Sequence, residues 1–250
     1  MDSLHVVTSH GPLSLIGRLH VTGRPTLLIV GGAFAPTGFK HDVADKYLGA
    51  NVLVGRLPGI DAPWLHDQTL ETLTAAFDEV LQRLVPGSPV VAHGVSTGCL
   101  VTMGLKSSNV FHHILEEPFL STGGLWPIVE HFRDHLTNNP GNQKLRKFLW
   151  NFFGLSETEF EGRSYDHLLD DLKAPVDVIV GSLPLEPERT MDGWPSLTGS
   201  YDRERLLAHR LVTFCVAGGE SGHGFGLTAP GRKELAAITL KALYAAAAET

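Results

Sequence analysis

Cysteine is almost missing from this chain of 250 residues: it has two, Cys99 and Cys215. That excludes a disulfide framework, and no Cys or His cluster shows metal-ligand spacing. Each cysteine sits in an apolar element, which predicts two buried free thiols. A basic block is also missing. The 20 Lys and Arg residues are scattered among 27 Asp and Glu, for a formal charge of −7. Such a balance argues against nucleic-acid binding and says little about substrate. No apolar run approaches the ~20 residues that span a bilayer. Met1-Asp2-Ser3-Leu4-His5 lacks the charged start and long apolar core of a signal peptide, so the expected location is the cytoplasm. Nothing in the chain calls for a metal or an organic cofactor.

What is present is a large apolar fraction, 43% of residues, enough for one sizeable core. Short apolar runs alternate with longer helical patterns. Residues 13–21 read as an early, half-exposed strand. Residues 26–30, 51–55, 89–92, 110–115, 175–180 and 211–216 read as further strands, several of them apolar throughout, as in a sheet covered on both faces. Leu70, Leu73, Ala76, Phe77, Val80, Leu81 and Leu84 recur at helical spacing within 68–84, and Pro86-Gly87 ends that helix. An Ala/Leu-rich helix over 233–248 closes the chain. This alternation predicts an α/β fold: a mostly parallel central sheet with helices on both faces.

Between the 110–115 and 175–180 strands lies a stretch too long for a plain loop. Helical signals over 125–136, 142–153 and 156–172 predict a small helical cap. The expected division is a core of 1–120 and 173–250 with a cap insertion of 121–172. The insertion is rich in aromatics: Trp126, Phe132, Phe148, Trp150, Phe152, Phe153 and Phe160. Most are expected to pack the cap onto the body and a few to line a pocket, which points to a partly apolar small-molecule substrate.

The sharpest motif is Gly94-Val95-Ser96-Thr97-Gly98, between a predicted strand and a predicted helix. A serine at the apex of a strand-turn-helix sits on a strained backbone with its hydroxyl presented outward. The flanking glycines fit because a side chain would clash in so tight a turn. Three other stretches occur in fixed order around it: Leu28-Ile29-Val30-Gly31-Gly32-Ala33-Phe34, then Gly55-Arg56-Leu57-Pro58-Gly59-Ile60-Asp61, and near the end Ser221-Gly222-His223-Gly224 with Pro230 beyond. Together they resemble the α/β-hydrolase superfamily over nearly the whole chain. Gly31 stands where that family often has histidine.

The resemblance implies a serine hydrolase. Ser96 would be the nucleophile and His223 the base that takes its proton and returns it to the leaving group. His93 lies nearer in sequence, but strand alternation turns it away from Ser96. His112 and His113 open a strand and read as edge residues. The oxyanion would be held by the backbone N–H groups of Thr97 and Ala33, with Phe34 the alternative to Ala33.

The acid departs from the commonest family pattern. An aspartate three residues after Gly181 is expected there, and that position is Pro184. Glu117, at the end of the 110–115 strand, matches the position used by some relatives, including many haloalkane dehalogenases. Glu186, with Glu188 or Asp192 behind it, is the alternative. Glu116 should point opposite to Glu117. A dehalogenase or epoxide hydrolase is disfavoured because those enzymes use a carboxylate at the elbow. Ester or thioester cleavage through an acyl-enzyme is therefore the expected activity. An acyltransferase, a carbon–carbon bond hydrolase and a non-catalytic ligand-binding protein remain the alternatives. The oligomeric state is not legible.

Overall fold

A computed structural model describes residues 2–19, 23–33, 47, 49–60, 62–125, 147–148, 150–151, 161–183, 195–219, 222–224 and 228–249. Its strands are β1 (Asp2–Thr8), β2 (Gly11–Arg18), β3 (Thr26–Val30), β4 (Asn51–Gly55), β5 (Val90–Val95), β6 (Val110–Glu116), β7 (Val176–Val180) and β8 (Val212–Val216). They form one sheet in the order β1-β2-β4-β3-β5-β6-β7-β8. β1, β2 and β4 pair antiparallel, and every pair from β4 through β3 to β8 is parallel. The helices are α1 (Leu70–Leu84), α2 (Thr97–Gly104), α3 (Asp166–Asp170), α4 (Ser200–Ala208) and α5 (Ala229–Ala248), with a 3-10 turn at Gly123–Leu125.

Alternation along the strands divides the core between the two faces of the sheet. Leu28, Val30, Ala92, Leu115 and Val178 point to one face and pack with Phe77 of α1 and Leu100 of α2. Leu27, Ile29, Val91 and Ile114 point to the other and meet Ala242, Leu243 and Ala246 of α5. The α1 apolar stripe is buried as its spacing predicts. Thr69 caps that helix, its hydroxyl accepting from Thr72 N–H at 3.2 Å while Thr72 Oγ1 accepts from Thr69 N–H at 3.1 Å. α5 begins at Ala229, earlier than its apolar pattern, because Thr228 caps it and Pro230 suits the first turn.

Several expectations need correction. Residues 11–18 form a mostly buried strand, not a half-exposed one, since β2 lies between β1 and β4. His112 and His113 lie in a central strand, and His113 is 3% exposed. Cys215 is only partly buried because β8 is an edge strand, whereas Cys99 is fully buried. The helices read over 125–136 and 142–153 and the start of that over 156–172 lie mostly outside the described residues. So do Trp126, Phe132, Phe152, Phe153 and Phe160. Of the rest, Phe148 is wholly buried in the main apolar cluster, and Trp150 is 36% exposed beside the Arg163 guanidinium. Leu168, Leu169 and Leu172, in and just after α3, join the same cluster as the sheet.

Candidate active site

The parallel strands β3, β5 and β6 end side by side, and ligands in such sheets bind beyond the carboxyl ends of the strands. β5 runs out at Val95, and Ser96 takes φ 53° and ψ −121° before α2 begins at Thr97. A non-glycine residue in that region carries strain of about 1–3 kcal/mol, held by its surroundings. Here Ser96 N–H donates to Glu116 C=O at 2.8 Å, and Cys99 N–H donates to Ser96 C=O at 2.8 Å. Two glycines make room. A Cβ on Gly98 would lie 2.1 Å from the Val30 carbonyl oxygen, and one on Gly32 would lie 2.9 Å from Ser96 Cβ. The turn after β3 is thus pressed directly against the serine. Ala33 follows in that turn, and Thr97 is the first residue of α2, whose N–H has no acceptor within its own helix. Phe34 lies outside the described residues.

β6 delivers Glu117 to the same edge. Its N–H continues the ladder, donating to Ile179 C=O at 3.0 Å, and its φ of 58° then turns the chain away from the sheet. The carboxyl group is fully buried. Oε1 accepts Gly181 N–H at 2.5 Å and Oε2 accepts Leu197 N–H at 2.7 Å. Oε2 also faces His223 Nδ1 at 3.4 Å. The structure therefore brings His223 and Glu117 together, although 106 positions separate them in sequence. Glu186, Glu188 and Asp192 lie outside the described residues.

Glu116 does turn the other way. It meets His93 Nε2 at 3.2 Å, both side chains nearly buried, on the α5 face of the sheet. His112 pairs similarly with Asp177 of β7 at 2.8 Å. His113 faces the opposite layer, and burial, assisted by His112, pushes its imidazole down to about 4. These histidines are parts of the sheet's packing. Among the described residues, no cluster of three or more His, Cys, Asp or Glu side chains could hold a metal ion. No helix among them is long and apolar enough to cross a membrane.

The segment 195–199 and the start of α4 hold Glu117 and the chain just after it, and sequence reasoning missed them. Thr198 Oγ1 donates to Pro118 C=O at 2.6 Å. Asp202 accepts Leu120 N–H at 3.0 Å and Gly199 N–H at 3.2 Å, and burial raises its carboxyl to about 6. The stretch 183–200 has little periodicity and reads as a loop at the mouth of the site. Its only visible signal is Gly199-Ser200 followed by Asp202, a helix start.

No protein-family model matches the chain, and no curated protein matches its sequence. Solved structures do match it. An α/β hydrolase from Novosphingobium aromaticivorans aligns over 97% of this chain and 98% of its own, with TM-score 0.66 and 17% identity. An N-formylmaleamic acid deformylase from Pseudomonas putida aligns over 95% and 100%, with TM-score 0.64 and 14% identity. A Pyrococcus furiosus esterase aligns over 97% and 91%, with TM-score 0.63 and 14% identity. The chain has the α/β-hydrolase fold.

Proposed function

We propose that this protein is a serine hydrolase that cleaves a carboxylic ester or thioester through an acyl-enzyme. The observation that carries the reading is the pairing of His223 Nδ1 with the buried Glu117 carboxyl, at the sheet edge where Ser96 sits in its strained turn. In this reading Glu117 fixes the imidazole with Nδ1 turned inward and leaves Nε2 for the serine. His223 takes the Ser96 proton as Oγ attacks the carbonyl, and the N–H groups of Ala33 and Thr97 receive the oxyanion. Protonated His223 then gives its proton to the departing alcohol or thiol. In the second half His223 draws a proton from water, which attacks the acyl carbon, and returns it to Ser96 as the acid leaves. The proposed substrate is a small, partly apolar acyl compound, and the chemistry needs no cofactor.

A fluorophosphonate probe tests the reading. One adduct on Ser96 is expected by peptide mass analysis, absent from Ser96→Ala, together with turnover of small activated esters that the variant lacks. A folded protein whose Ser96 takes no adduct, or a variant that turns over esters at the wild-type rate, overturns it.

A further inference from the structure

The catalytic reading leaves one charged side chain beside the acid without a role. Arg203, in the first turn of α4, points back to the segments that hold Glu117. Its Nη2 donates to Gly181 C=O at 2.9 Å, and its Nε donates to Thr198 C=O at 3.0 Å. Gly181 and Leu197, the residue before Thr198, are the two whose N–H groups bind the Glu117 oxygens. The guanidinium thus ties together, from their carbonyl sides, the two strands of backbone whose amide sides grip the carboxyl group. It also lies over the ring of Phe214, 6.0 Å from the centroid, in β8, the strand that leads toward His223. Burial holds Arg203 below its ordinary value, and the field of Glu117 offsets only part of that fall.

We infer that Arg203 is a positioning residue for the proposed hydrolase: it clamps the Gly181 and Leu197 amide cradle so that Glu117 presents a fixed, charge-compensated carboxylate to His223. The inference rests on the proposed role of Glu117. Its chemical logic is that a planar fork can satisfy two carbonyl acceptors in different segments at once. Lysine at this position carries the charge on a single nitrogen and lacks that fork. Without the fork, Gly181 and Thr198 lose their common partner, and the two amides are free to drift apart. A drift of about 1 Å in a catalytic orienter is enough to slow a reaction ~10²-fold.

The test is a double-mutant cycle read by the rate at which a fluorophosphonate labels Ser96. The variants are Arg203→Met, Arg203→Lys, Glu117→Gln and the corresponding double replacements. Arg203→Met is expected to slow labelling about 10- to 100-fold. It should have little further effect when Glu117 is already glutamine, because Arg203 acts through that carboxylate. Arg203→Lys should recover part of the loss. On a small activated ester the change should fall on kcat, with KM nearly unchanged, since Arg203 is placed to act on the acid and not on the substrate. A general structural role would instead give the same slowing in both backgrounds. If Arg203→Met does not fold, Arg203→Lys decides by the same cycle. Wild-type labelling rates in both arginine variants, or equal slowing with and without the Glu117 carboxylate, overturn the inference while leaving the hydrolase reading intact. Wild-type rates in Glu117→Gln overturn the role of the acid, and this inference with it. A wild-type Ser96 that takes no probe overturns the hydrolase reading and everything built on it.

Discussion

Two single-residue replacements separate the geometry of the proposed site from the stability of the fold. Glutamine at 117 keeps one oxygen, but its amide N–H₂ must then face either Gly181 N–H or Leu197 N–H, placing donor against donor. It also loses the anion that steadies an imidazolium. Glu117→Gln is therefore expected to lower kcat by up to about 10⁴-fold. Leaving a buried amide unpaired should destabilise the protein by about 1–3 kcal/mol, visible in a urea melt. Normal turnover would remove Glu117 from the mechanism. Gly32→Ala tests the other side of the serine. The added Cβ falls 2.9 Å from Ser96 Cβ and 3.2 Å from the Val95 carbonyl oxygen, so the turn or Ser96 must shift. Labelling of Ser96 should slow by roughly 10²-fold, because a displaced nucleophile loses its near-attack geometry. The overpacking itself should cost only about 1–3 kcal/mol. Labelling at the wild-type rate would mean that the turn does not bear on Ser96.

At the scale of elements, α2 and β3 touch more closely than any side chain would permit. Gly98, one residue into α2, sits where a Cβ would be 2.1 Å from Val30 C=O and 2.8 Å from Gly31 C=O. Neither atom is a flexible tip, so Gly98→Ala must push the helix off the sheet. A lower urea midpoint at constant m, equivalent to a stability loss of at least about 1–3 kcal/mol, is expected. An unchanged midpoint would contradict this docking. That contact also explains why the elbow is legible in sequence: strand, turn and helix are contiguous, and the steric demand is written into five adjacent residues. α1 is legible for a similar reason, because one stripe of its surface is apolar and Pro86-Gly87 marks its end. β1 is not, because only Thr8 of its seven residues is buried. α4 escapes notice because it buries only Asp202 and Leu206 and leaves Tyr201 and Leu207 exposed among its charges, so no apolar stripe forms. Counting along β6 locates Glu117. The cradle that grips it comes from Gly181 and Leu197, 64 and 80 positions away, and no local pattern encodes a backbone amide's distant acceptor.

At the scale of the whole molecule, two buried groups set opposing dependences of stability on pH. His113 has its imidazole pushed down to about 4 by burial, while in the unfolded chain it titrates near its ordinary 6.5. Between these values the unfolded chain holds a proton that the folded one excludes. The stability His113 contributes is therefore present above pH 6.5 and is lost as pH falls toward 4. Asp202 has its carboxyl raised by burial to about 6 from an ordinary 3.8, so in nearly the same window the folded protein holds a proton that the unfolded one releases. Its contribution is present below pH 3.8 and is lost as pH rises through 6. Each amounts to about 3 kcal/mol at one pKa unit per 1.36 kcal/mol, with opposite sign, so the two largely offset. Removing either should expose the other. Relative to His113→Leu, the wild-type protein should gain about 3 kcal/mol on going from pH 4 to pH 7. Relative to Asp202→Asn, it should lose a similar amount over the same rise. Urea melts at pH 4, 5, 6 and 7 on the three proteins measure both slopes. A wild-type minus His113→Leu difference that stays flat with pH would show that the buried imidazole takes up its proton as readily folded as unfolded. A flat difference for Asp202→Asn would show that its backbone N–H donors outweigh burial and hold the carboxylate charged at the start of α4.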